Sequence, residues 1–519
     1  MAKTGVLQHF NLQLALACLL IAVSTFNYGF DNQAFATTQA MTPFTRQFGV
    51  YNPKTKKYAL ETYWLSLFNS LNYAGFGTGK SASIGVVIGS IISSRYGRRC
   101  CMFTMSCYAI VTATIAVTSA SRWQILAARI LNYVYVGMEL SVVPVYQSEI
   151  VPAQVRGLIV GTYQLSLLLG GIIINSICRG TSELPDNRAW RIPIGLFYIV
   201  PSIVLSLIWF IPESPRWLLS RGRIEEGRAA LAKLRQGTMT DAEIETEFAA
   251  TQLTLEREVE SGSFKELWQG VNLKRTLIVV GVSFFQQATG QAFTSQYGAI
   301  FIRSLGTVNP FTMTIVNSII SAVGVMVSLS MVDKIGRKPL LLAGAVTQLA
   351  ALITMGSLGT VANPSVQIKT GIVSTLTIFG FGFGLGWAPL TFVVTTELPA
   401  LRLRDQSQRV VGLVNVLVAF VVAFSLPYML NDPGNLKSKV GFIYGSMAFC
   451  ALIFTWFLVP ECKGKSLEEI DLMFMENVPI RQFRTYKPTI LLENKNESGE
   501  EGNPGKVTVV HLGGKDSSV

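Results

Sequence analysis

Uninterrupted apolar stretches of roughly 20 residues recur along this chain between residues 11 and 457, separated by short polar breaks. Each is long enough to cross a hydrocarbon core of about 30 Å as a helix. The runs cover residues 12–37, 69–94, 101–120, 123–146, 158–178 and 190–211, then 275–301, 310–332, 340–361, 371–396, 410–430 and 440–459. Only 14% of the residues are charged, against about 25% in soluble chains. The bilayer, rather than a water-excluded core, is the expected solvent.

The net charge of +12 could indicate a nucleic-acid partner, but the cations sit in the breaks between runs, among them Arg95, Arg98, Arg99, Lys334, Arg337 and Lys338. That placement fits the positive-inside bias of membrane proteins better than a nucleic-acid groove. Lys54, Lys56 and Lys57 in an opposite loop make it a bias only. Both histidines, His9 and His511, lie in polar tails, so a proton relay within the apolar part must use carboxylates. Seven cysteines show no disulfide or zinc spacing; Cys18, Cys100, Cys101, Cys107, Cys178 and Cys450 lie in or beside apolar runs and read as packing residues. No metal or cofactor is implied. The first run is too long for a cleavable signal peptide.

An internal repeat divides the chain. Glu149 with Arg156 seven residues later returns as Glu397 with Arg404, and Pro212-Glu213 returns as Pro460-Glu461, all displaced by 248 residues. Arg95-Tyr96-Gly97-Arg98-Arg99 returns as Lys334-Ile335-Gly336-Arg337-Lys338, displaced by 239. Two six-span halves on one plan, with substrate at the midplane between them, is an arrangement of many secondary transporters. The expected organisation is a cytoplasmic tail over 1–11, a six-helix bundle over 12–211, a cytoplasmic helical linker over 212–274, a second bundle over 275–459 and a cytoplasmic tail over 460–519. Helical patterning marks 225–236 and 241–260 within the linker.

With these motifs the chain resembles the sugar porter family of the major facilitator superfamily, particularly its fungal members, from about residue 12 to 475. The resemblance rests on Gly29-Phe30-Asp31, Arg95 to Arg99, Glu149 to Arg156-Gly157, Pro212-Glu213-Ser214-Pro215-Arg216 and Gln286-Gln287-Ala288-Thr289-Gly290. It continues through Asp333 to Lys338, Gly386-Trp387-Ala388-Pro389 and Pro460-Glu461-Cys462-Lys463-Gly464. It implies an all-α integral membrane fold of twelve transmembrane helices in two pseudo-symmetric six-helix bundles. It also implies a non-enzymatic carrier in the plasma membrane, with both termini cytoplasmic. The expected activity is secondary active transport of a hexose, oligosaccharide or polyol by alternating access, with proton symport. A passive facilitator and a non-transporting sugar sensor remain the alternatives.

Asp31 lies deep in an apolar run, where an ionised carboxylate costs about 2.5–3.5 kcal/mol on insertion scales and needs a cation or a proton. Arg129 is the candidate partner, and the resemblance makes the two a proton-coupling pair; a purely structural pair is the plainer reading. Sugar hydroxyls donate and accept, as amides do. Gln164, Gln286, Gln287, Asn317 and Asn415 lie within apolar runs, and matching positions in sugar porters contact sugar hydroxyls. Tyr297, Trp387 and Phe392 are the aromatic candidates for gate or platform. Departures from the family pattern, Ala292 behind Gln291, Phe392 where Trp is usual and Val416 after Asn415, leave room for a solute other than glucose.

The charged loop residues Arg95, Arg98, Arg99, Glu149, Arg156, Glu213, Arg216, Asp333, Arg337, Lys338, Glu397 and Arg404 are expected to form ion pairs across the bundles that close a cytoplasmic gate. Ser94 stands where an Asp would match Asp333. Ala74 to Ser81, with Lys80, imitates a phosphate loop, but no strand precedes it and an apolar run follows, so no nucleotide is expected. Asn496-Glu497-Ser498 matches a glycosylation site within the tail expected to be cytoplasmic.

Overall fold

The computed structural model describes residues 10–53, 56–73, 84–257, 263–465 and 467–486, with the side chains of 153–163 outside that description. Lys80, the side chain of Arg156 and Asn496 therefore lie outside the described residues. The first half contains α1 (Leu12–Thr38), α2 (Thr42–Phe48), a hairpin of β1 (Val50–Asn52) and β2 (Lys57–Ala59), α3 (Thr62–Ser70), α4 (Ile84–Tyr96) and α5 (Arg98–Val117). It continues with α6 (Arg122–Ile150), α7 (Ala153–Thr181) and α8 (Arg188–Phe210). Helices α9 (Pro215–Ser220), α10 (Ile224–Arg235) and α11 (Asp241–Arg257) follow. The second half holds α12 (Gly270–Ala288), α13 (Gln291–Ser295), α14 (Gly298–Leu305), α15 (Pro310–Ile335), α16 (Arg337–Leu358), α17 (Val366–Glu397), α18 (Arg404–Leu430), α19 (Val440–Leu458) and, beyond it, α20 (Leu467–Met475).

Nine of these helices are long and apolar enough to cross a membrane among the described residues. The 29-residue α7, the helices α3 and α4 on either side of the undescribed residues 74–83, and the α12–α14 column fill the places of the other three runs that the sequence predicts. Two spans differ from expectation. The second begins at Thr62, before the expected residue 69, and the seventh is broken where Gly290 takes a left-handed φ of 91°. Side-chain caps begin several helices: Asn11 Oδ1 accepts from the Leu14 amide at 2.7 Å, and Asn309 Oδ1 from Phe311 and Thr312 at 3.0 and 3.2 Å. Such caps satisfy amides that the helix itself leaves unpaired.

Helices α1 and α7 pack closely because small residues face each other. A Cβ on Gly29 would collide with the Leu167 carbonyl, and one on Gly170 with the Phe26 carbonyl. Between halves, α3 packs on α18 and α7 on α15. The hydrogen bonds joining the halves among the described residues cluster at one end. Ser66 Oγ donates to the Phe424 carbonyl (2.7 Å), Asn175 Nδ2 to Ser318 Oγ (3.0 Å) and Gln296 Nε2 to the Tyr73 hydroxyl (2.8 Å). Arg179 donates to Thr312 Oγ1 at 3.1 Å, while Arg303 reaches the Ala40 carbonyl and Thr42 Oγ1. That end is remote from the Gly97 and Gly336 junctions, where the charged motifs lie.

Candidate functional site

The close α1–α7 contact at Gly29 sets Asp31 two residues further along α1, facing α6. There Arg129 Nη1 lies 3.2 Å from both Asp31 carboxylate oxygens. The acid is 2% exposed and the arginine 5%. The guanidinium also stacks over Phe35, 4.1 Å from its centroid, and lies 5.3 Å from that of Tyr133, so rings rather than water cover its faces. Thr112, Asn132 and Phe197 enclose a small cavity beside the pair. Removing one partner from so buried a pair typically costs about 3–5 kcal/mol because the other charge is stranded.

One turn of α1 also reaches a second, larger space. A cavity of about 170 Å³ lies between the halves. Its first-half wall includes Asn32, Gln33, Thr37 and Gln164; its second-half wall includes Gln291, Thr294, Asn317 and Ser318, with Phe379 and Phe383 as aromatic surface. Of the residues expected to bind substrate, Gln164 and Asn317 are on this wall. Asn317 Oδ1 accepts from Thr377 Oγ1 at 2.5 Å, leaving its amide group available.

The other expected binding residues are placed differently. Gln286, Gln287 and Asn415 bond one another beside the cavity: Asn415 Nδ2 donates to Gln286 Oε1 at 2.7 Å, and Gln287 Nε2 to Asn415 Oδ1 at 3.2 Å. Gln286 Nε2 donates to the Trp387 carbonyl at 3.2 Å. Tyr297 is 1% exposed and donates its hydroxyl to the Ala423 carbonyl, so its polar end is engaged. Trp387 is fully buried at the end of a π-helical turn, Phe383–Trp387, behind the wall that its neighbour Ala388 joins. Phe392 is 59% exposed, one turn of α17 beyond Ala388 of the cavity wall.

The residues missed had a legible signal. Thr314, Ser318 and Ser321 recur with the expected Asn317 at helical spacing on one stripe of α15 and line the cavity together. Glu139, in the middle of an apolar run, was open to the argument applied to Asp31; it is fully buried in α6.

The charged motifs form the same device twice. Glu213 accepts the Arg98 and Arg99 amides at 3.0 and 3.1 Å; Glu461 accepts those of Arg337 and Lys338 at 3.1 and 3.0 Å. Arg98 then forks onto Glu149, with both bonds at 2.8 Å, and Arg337 onto Glu397 at 3.2 and 2.9 Å. Arg99 reaches the Trp209 carbonyl and Lys338 that of Trp456. Two-point arginine–carboxylate contacts of this kind fix orientation as well as charge. Burial pushes the Glu213 carboxyl above the usual range, with the amides of Ser214, Arg99 and Arg98 opposing it.

Arg98 and Arg337, expected to pair across the bundles, are each held instead by an acid of their own half. Asp333 adds a 3.3 Å contact to Arg337, whereas Ser94 gives its carbonyl to Trp217 Nε1 and Arg221. Arg95 is exposed beside the Tyr96 ring, and Arg216 lies in the first turn of α9. Arg404 opens α18 with Nε and Nη2 buried and unbonded among the described residues.

Comparison with known proteins agrees with this architecture. The xylose transporter XylE of E. coli, in a structure described as its inward open conformation, superposes with a TM-score of 0.71 at 20% identity, covering 88% of this chain and 99% of that one. A low-affinity glucose transporter of Saccharomyces cerevisiae is 28% identical over 92% of this chain and 84% of its own. A major facilitator-type transporter of Aspergillus rugulosus is 27% identical over 92% and 90%. The family model described as sugar (and other) transporter matches residues 17–474. The chain therefore belongs to that family: it is a multi-pass membrane transporter of the sugar porter group of the major facilitator superfamily, and not an enzyme.

Proposed function

We propose that the chain carries a sugar or polyol together with a proton across the plasma membrane, by alternating access between its two halves. The observation that carries this reading is the adjacency of the Asp31–Arg129 pair to the amide-lined cavity. Asp31 and the wall residues Asn32 and Gln33 are consecutive on α1, so whatever moves one moves the others. Protonation of Asp31 releases Arg129, removing the ion pair between α1 and α6. Solute bound to Asn32, Gln33 and Gln164 on one side and Asn317 on the other bridges the halves. A glucose transporter among the relatives and a proton:xylose symporter among the similar structures support both solute class and coupling.

In this reading the bundles over 12–211 and 275–459 rock about the cavity, and the linker and both tails face the cytoplasm. The halves are bonded at the end remote from the charged motifs, which supports a resting state open to the cytoplasm. The twin clamps then keep each half rigid while it turns.

Uptake of a labelled panel of hexoses, pentoses, disaccharides and polyols into proteoliposomes, with and without an inward proton gradient, tests the proposal. At least one member is expected to accumulate above equilibrium, and a protonophore is expected to abolish that accumulation. Asp31→Asn is expected to lose accumulation far more than exchange. Uptake that only equilibrates would make the protein a facilitator, and binding without flux a sensor; either outcome sinks the symport reading.

A further inference from the structure

Three acids are buried among the described residues: Asp31, Glu139 and Glu461. Asp31 has Arg129, and Glu461 has backbone amides. Glu139 is fully buried in the membrane-spanning α6, and neither of its carboxylate oxygens is hydrogen-bonded among the described residues. An ionised carboxylate so placed would be stranded without a counter-ion, whereas a protonated one needs no charge partner. No role described so far uses it.

Its neighbours make a polar track through the apolar interior. On its own helix Tyr135, one turn earlier, faces the carboxyl, and Asn27 of α1 donates to the Tyr135 hydroxyl at 3.2 Å. Ser24 of α1 also reaches Tyr135. The half-buried Tyr28 lies within electrostatic reach of Glu139, Asp31, Arg129 and Tyr73. Tyr73 in turn accepts from Gln296 of the other half. The charged groups of α4 and α5 sit at their shared junction, where Arg98 is held by Glu149; the Cys101 thiol points to the Gly89 carbonyl. Further along α6, Tyr146 donates to the Pro212 carbonyl. Among the described residues Arg129 is thus the cation of this cluster, and it is committed to Asp31. Glu139 lies ten residues beyond Arg129 on the side of the charged motifs, about 15 Å along the helix axis.

We infer that Glu139 is a second proton-binding site, which receives the proton from Asp31 and releases it towards the face carrying the charged motifs. This inference rests on the symport reading above. The step balances as carboxylic acid on Asp31 and carboxylate on Glu139 becoming carboxylate on Asp31 and carboxylic acid on Glu139. The proton crosses by way of the intervening hydroxyls, and Arg129 re-pairs with Asp31 as it leaves. The arrangement described here, with Asp31 bound to Arg129 and Glu139 without a cation among the described residues, is the state after that transfer. Loss of the proton from Glu139 to water at the charged face then resets the cycle.

Glu139→Gln keeps the size and neutrality of the protonated side chain but cannot take or give up the proton. Measured in proteoliposomes with the best-transported sugar of the panel, gradient-driven accumulation is expected to fall about a hundredfold further than exchange does, in the range for losing a proton-transfer group. Equal loss of both would show a structural role and overturn the inference, as would unaltered accumulation. Should Glu139→Gln fail to fold, Glu139→Asp decides: a displaced pH profile of accumulation supports the site, and a profile superimposable on the wild type removes it. A wild-type protein that never accumulates sugar would sink the symport reading itself. Wild-type accumulation retained in Glu139→Gln would sink the second site alone.

Discussion

At the scale of single residues, the informative groups are polar atoms in places where water cannot reach them. Gln286 shows how such a group is held: it accepts from Asn415 and donates to the Trp387 carbonyl. Gln286→Ala would leave the Asn415 amide unpaired beside the cavity, a loss of about 1–3 kcal/mol. The expected outcome is a rise of roughly tenfold in the half-saturating sugar concentration, each 1.4 kcal/mol being a factor of ten. A value equal to wild type would detach this amide network from solute binding. Asp31 was legible because a lone acid in an apolar run demands a partner, and Arg129 supplies it. Glu139 answered to the same rule but has no arginine or motif to announce it.

At the scale of elements, helix number and order were readable from run length, while the interruptions were not. The break at Gly290 depends on a left-handed backbone lodged against the Tyr444 ring. The π turn at Phe383–Trp387 accommodates close passage of α15 and α16, where a Cβ on Gly384 would come 2.5 Å from the Ser321 carbonyl. Neither is written in hydropathy. The tight α4–α5 and α15–α16 junctions are the opposite case, for the repeated Gly97 and Gly336 mark them. Both have positive φ, 101° and 110°, and in each a Cβ would lie 2.5 Å from an oxygen of Glu213 or Glu461. Gly97→Ala is therefore expected to destabilise by about 1–3 kcal/mol through backbone strain, before any loss from the displaced carboxylate. Thermal unfolding in detergent would register it, and an unchanged midpoint would show that the clamp is not as tight as drawn.

At the scale of the whole molecule, the two halves are joined among the described residues by few polar contacts, and those lie at one end. Asn175 and Ser318 meet there across α7 and α15. Cysteines at both positions, in a background lacking the seven native thiols, are expected to cross-link and arrest transport, with reduction restoring it. Transport that continues through the cross-link would mean that this end need not part. The duplicated plan was legible from the 248-residue displacement alone. What stayed hidden was the direction of the ion pairs, since a charge repeated in both halves can pair within its own half or across to the other.

The acceptors at the joined end are all uncharged: the carbonyls of Phe424 and Ala40 and the hydroxyls of Thr42, Tyr73, Thr312 and Ser318. Dissolved electrolyte has little there to screen, since screening weakens attraction between opposite charges. The preference between the two access states should accordingly be indifferent to ionic strength, as distance measurements between labelled halves in dilute and concentrated salt would reveal. A cell in brine and a cell in fresh water would find this carrier resting in the same posture.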